Sequence, residues 1–110
     1  MSSIRVLLFV VSVTLVSGSV LMAADVAAGK EVFAKKCVSC HGAAGEGKDS
    51  IAKMMKVELK PLGSREVQSK SDADLQKVIT DGVGKMKPVT DVDAKSADNV
   101  VAFLRTLAKK

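Results

Sequence analysis

The chain of 110 residues holds two cysteines and one histidine, and all three fall in a single run, Cys37-Val38-Ser39-Cys40-His41. Two thiols three positions apart can reach the two vinyl groups of one porphyrin and close thioethers to it. The adjacent imidazole then faces the iron, so one short segment holds the ring at three points. Other uses of the same residues fit less well. A structural zinc shell wants four Cys or His ligands, and this chain cannot supply them without carboxylates. A thioredoxin-like pair needs a strand-loop-helix setting, whereas a helical pattern precedes Cys37. A disulfide closing so small a loop gains little chain entropy. The spacing therefore points to one covalent haem c, bonded to Cys37 and Cys40 and ligated by His41.

A second axial ligand cannot be another histidine, because there is none. Met54, Met55 and Met86 remain, with a lysine as an option at high pH. Lone methionines usually fill cores, and Met54 and Met55 read that way. Met86 stands in Gly82-Val83-Gly84-Lys85-Met86-Lys87-Pro88, where two glycines and a proline make a stiff loop able to approach a flat ring. With His41 and Met86 both bound, the iron has no open position, and the soft thioether favours ferrous iron and raises the potential. That is an electron carrier rather than an enzyme. Were Met86 only packing, the open distal site would suit an enzyme or a ligand-binding sensor.

These residues need elements to hold them. Asp25 can cap a helix running to about Lys36, with Val26, Gly29, Val32, Phe33 and Lys36 at three- and four-residue steps. Cys37 to Gly47 reads as a loop, rich in Gly and Ala. Ile51 to Leu59 is a short helix candidate that ends near Pro61 and Gly63. Ser71 with Asp74 resembles a capping box and opens a helix whose stripe is Leu75, Val78 and Ile79, with Gly82 at the left-handed C-terminal position. Val83 to Thr90 is a loop around Met86. Asp93 caps the last helix, with Val92 set to staple onto Ala97; its apolar face is Ala97, Val100, Val101, Leu104 and Leu107 beside Phe103. Lys109 and Lys110 suit its negative end. No stretch alternates as a strand does, so the fold class is all-α.

The first residues read as a secretory signal: Arg5 as the only charge, an apolar run from Val6 to Val16, then small residues to Ala24. The expected organisation is a signal peptide over 1–24 and one domain over 25–110, placing the protein in the periplasm. The alternative is an uncleaved anchor, although Ser12, Thr14, Ser17, Gly18 and Ser19 dilute the span. After cleavage sixteen Lys and Arg face twelve Asp and Glu. The lysines interleave with acids and no arginine cluster with stacking aromatics appears, so nucleic acid is not the partner. With two Phe and neither Tyr nor Trp left, so small a domain needs a staple at its centre.

The stretch from about Val26 to Leu107 resembles the small class I cytochromes c of bacteria. Gly29 and Phe33 match the family's Gly and aromatic in the first helix, and Val100, Val101, Ala102, Phe103 and Leu104 match its C-terminal helix. The resemblance implies N- and C-terminal helices crossing closely around one haem, with Gly29 at the crossing, and Met86 as distal ligand although Lys87 separates it from Pro88. It implies a monomer that meets redox donors and acceptors transiently at an exposed haem edge, ringed by Lys35, Lys36, Lys48, Lys85 and Lys87. A tethered or enzyme-associated cytochrome subunit is the alternative. It also implies a backbone carbonyl accepting the second ring N–H of His41, often from a proline of the following loop. Pro61 lies later than usual, so the acceptor stays unassigned, and the family's propionate-binding Trp is absent.

Overall fold

A computed structural model describes residues 10–12 and 24–109. Nearly all of the segment read as a signal, and Lys110, lie outside the described residues. Among the described residues no helix is long and apolar enough to cross a membrane.

Six helices follow in order: α1 Val26–Lys36, α2 Val38–His41, α3 Asp49–Met55, α4 Arg65–Gln68, α5 Asp72–Asp81 and α6 Ala94–Thr106. The described residues form no named strand, only a bridge between Val83 and Met86. Capping decides where the long helices start. Asp25, Ser71 and Asp93 side chains accept from the backbone N–H of Ala28, Asp74 and Ser96, each satisfying a donor that the first turn leaves without an intrahelical partner.

The core is α1 packed on α6 and flanked by α5. Phe33, Leu75, Ile79, Ala97, Val100, Val101, Phe103 and Leu104 are its buried apolar side chains, and the rings of Phe33 and Phe103 meet at 5.1 Å between centroids, tilted by 54°. The expected face of α6 is thus the observed one, with Val92 and Leu107 half-buried against it. In α5, Val78 is only half-buried. At Gly29 the two helices touch backbone to backbone, for a Cβ there would lie 1.9 Å from the Asn99 carbonyl oxygen. Only a residue without a side chain permits that approach, which explains a glycine where it costs about 1 kcal/mol of helix propensity relative to Ala. Asn99 is buried at the same crossing and accepts from the Asp25 backbone N–H at 2.8 Å.

A polar knot ties the far end of α6 to the chain before α5. The Arg105 guanidinium donates to Asp72 Oδ1 at 2.7 and 3.0 Å and to the carbonyls of Gln68 at 2.8 Å and Lys70 at 2.7 Å. Gln68 in turn donates to the carbonyls of Leu62 and Leu104, both at 2.9 Å.

Three expectations are corrected, and one helix is new. The Cys37–Gly47 stretch is not all loop, because α2 forms one helical turn within it. Helix α3 stops at Met55 rather than running to Leu59; Lys56 adopts the left-handed conformation at φ 54°, ψ 48° and closes it. Helix α4, capped by Ser64, was not expected. Gly82 has the positive φ anticipated, 77°, but with ψ 172° it turns the chain out into extended backbone instead of a left-handed cap.

Candidate functional site

Cys37, Cys40 and His41 share the turn that is α2 and its N-cap. It forms because the Cys37 carbonyl accepts from both Cys40 N, at 3.3 Å, and His41 N, at 3.0 Å, while Gly42 N returns to the Val38 carbonyl at 2.9 Å. Gly42, at φ 82°, ends it. The chain then folds back on the same turn, with Gly47 N on the His41 carbonyl at 2.7 Å and Lys48 N on that of Cys40 at 3.0 Å. The backbone around the three side chains is therefore bonded from both directions.

Both thiols are free and half-buried. Burial, and then the neighbouring Cys40, push the Cys37 thiol up to about 11. His41 is half-buried, and burial lowers its pKa below the usual imidazole value, which keeps it in the neutral form a metal requires. Its Nδ1 is buried without a partner; the Pro61 carbonyl accepts from Ser64 N at 3.0 Å.

Met86 closes the turn after α5. Val83 N donates to the Met86 carbonyl and Met86 N to that of Val83, both at 2.9 Å, with Gly84 and Lys85 between them. Gly82 allows the turn to fold back, since a Cβ there would meet the Met86 carbonyl oxygen at 2.5 Å. Met86 is half-buried. Met54 and Met55 are not core filler, which corrects that expectation: Met54 is 72% exposed, Met55 is half-buried, and neither belongs to the core cluster. The reason is that no residue of α3 is fully buried.

The residues fit an iron porphyrin. Two thiols and a neutral imidazole stand on one turn, a thioether stands on a closed turn, and the apolar side chains Ile51, Met55, Val57, Leu59 and Met86 are half-buried without joining the core. Those side chains are the material for a hydrophobic wall around a flat ring. Lys35, Lys36, Lys48, Lys85 and Lys87 are all exposed, as expected. The free Nδ1 and the ties at Gly47 and Lys48 were missed in the sequence, the first because it depends on tertiary placement and the second because backbone bonding leaves no residue signature.

Residues 24–104 match the family described as cytochrome c oxidase, cbb3-type, subunit III. Among solved structures the chain is similar to the "KustC0563 c-type cytochrome", at 21% identity and a TM-score of 0.64 over 74% of this chain and 98% of that one. It is also similar to the sulfane dehydrogenase SoxCD from Paracoccus pantotrophus, at 23% identity and a TM-score of 0.54, over 76% of this chain and 43% of that one. At such identities the two likenesses establish the helical fold. No curated protein matches the chain.

Proposed function

This chain belongs to the cytochrome c family described as cbb3-type oxidase subunit III, and from that premise we propose that it is an exported one-haem carrier moving single electrons between redox proteins in the periplasm. Covalent haem c and electron transfer come with the family. The proposal adds the residues: Cys37 and Cys40 as the thioether pair, His41 as proximal ligand and Met86 as distal ligand.

When bound, the haem supplies a one-electron couple at iron. The chain supplies everything that sets it. His41 is held on a bonded helical turn, and Met86 on a turn closed by two backbone hydrogen bonds. Keeping one ligand set in both oxidation states makes reorganisation small, and a thioether raises the potential. The half-buried apolar residues of 51–59 exclude water from the ring. Residues 1–24 serve as the export signal and 25–110 as the working domain. Exposed lysines around the site favour acidic partners in transient, salt-sensitive encounters.

The observation that carries this reading is the single turn that presents two free thiols and the His41 imidazole together. The test is a mass and a spectrum of exported protein: one haem beyond the polypeptide from Asp25, and a weak near-infrared band of sulfur-ligated ferric haem that disappears in Met86→Ala. Colourless protein with the mass of bare polypeptide would sink the reading. The family's description and the likeness to SoxCD favour a second reading, a cytochrome subunit held in an enzyme complex. Co-purification with a larger redox enzyme, against a freely migrating monomer, separates the two.

A further inference from the structure

Helix α3 buries nothing against the core, yet both of its ends are tied to the segments that carry the proposed iron ligands. Before its first turn, Gly47 and Lys48 bond the carbonyls of His41 and Cys40. At its other end, Lys85 Nζ donates to the Met55 carbonyl at 2.5 Å. Lys85 is the residue before Met86 and sits in the turn that Val83 and Met86 close. Seven residues long, or about 10 Å at a helical rise, α3 is a strut with one end on the proximal turn and the other on the distal turn.

The acceptor is suited to a cation. The last carbonyls of a helix lack intrahelical partners and carry its negative end. In α3 the carbonyls of Ala52 and Lys53 are taken by the backbone N–H of Lys56, while that of Met55 receives Lys85. Among the described residues this is the only hydrogen bond of the Lys85 side chain, and Lys85 enters no ion pair.

We propose that Lys85 is a positioning residue for the distal ligand, latching the Met86 turn to α3 and so fixing how far Met86 stands from His41. The inference rests on Met86 as ligand. Without the latch the Met86 turn keeps its own two backbone bonds but loses its tie to the proximal side, and a competing ligand displaces the thioether more easily. Lys87 provides an internal control. It flanks Met86 on the other side, is exposed, and makes no side-chain hydrogen bond among the described residues.

The test is imidazole binding to the ferric holoprotein, followed with the near-infrared sulfur band. Lys85→Ala is expected to raise imidazole affinity about tenfold, the low end for a lost hydrogen bond to a charged group, and to weaken the band. Lys85→Arg, which keeps a cationic donor, is expected to restore both, and Lys87→Ala to stay within about twofold of wild type. Unchanged affinity in Lys85→Ala overturns the latch, as does an equal rise in Lys87→Ala, which would make the effect one of charge alone, or failure of Lys85→Arg to restore it. A wild-type protein without the band, or a band surviving in Met86→Ala, would overturn the Met86 assignment itself and the latch with it.

Discussion

The helix crossing and the α3 side of the molecule are built on different rules. Helices α1, α5 and α6 supply every side chain of the buried apolar core, and they meet backbone to backbone at Gly29. Helix α3 and the turn at Met86 supply none; hydrogen bonds from Gly47, Lys48 and Lys85 hold them instead. One region is fixed by side-chain packing, and the other is tethered at its ends with its half-buried apolar residues outside the core. A protein with little aromatic material thus gathers its core at one helix crossing and leaves the apolar residues of α3 outside it.

The largest effect should come from breaking the packed region. Phe103→Ala removes one of two tilted rings in contact and is expected to cost about 3–5 kcal/mol, read as the guanidinium midpoint of the holoprotein. Gly29→Ala should cost about 3 kcal/mol, the top of the overpacking range, because the obstacle is the Asn99 backbone and cannot rotate away. Arg105→Ala, which frees Asp72 and the carbonyls of Gln68 and Lys70, should cost about 1.5–2 kcal/mol, since its partners are partly exposed. On the other side, Met54→Gln should move the midpoint by less than about 0.5 kcal/mol. Equal losses at Phe103 and Met54 would erase the distinction between the regions.

The same division explains what the sequence makes legible. Periodicity and caps reveal α1, α5 and α6, because their side chains answer to a core with a helical repeat and Asp25, Ser71 and Asp93 mark their starts. The proposed attachment motif is local chemistry, so Cys37, Cys40 and His41 are legible without any fold. Helix α3 misleads, since Ile51, Met54 and Met55 look like core positions while the region has no protein core to join, and its end is set by a left-handed Lys56 that no residue preference announces. Asn99 is invisible for a related reason: a polar residue on a buried face is decided by one long-range bond, to Asp25.

A pH series sharpens the packed side. The backbone N–H of Ser96 bonds the Asp93 carboxylate, and with the Ser96 side chain it holds the carboxyl below its ordinary value of 3.8. A depressed folded pKa means that the cap stabilises α6 fully above about pH 3.8 and loses that contribution as the pH falls through the lower folded value. Asp93→Asn keeps a capping oxygen without the ionisation, so its unfolding midpoint should fall less between pH 4 and pH 2 than that of the wild type. Parallel curves would show that the carboxylate is not the group responsible.

A gain rather than a loss is expected on the tethered side, at Lys56. Left-handed backbone costs a residue with a Cβ roughly 1–2 kcal/mol, and glycine adopts it freely but loses more entropy on folding, by roughly 0.5–1 kcal/mol. The difference leaves Lys56→Gly stabilising by about 0.5 kcal/mol. Since α3 contributes no buried side chain, that gain should appear as slower amide exchange confined to residues 49–56, with little change in the global midpoint. If the whole molecule gained protection together, α3 would be part of the cooperative core, and the division between a packed and a tethered region would fail at its weakest point.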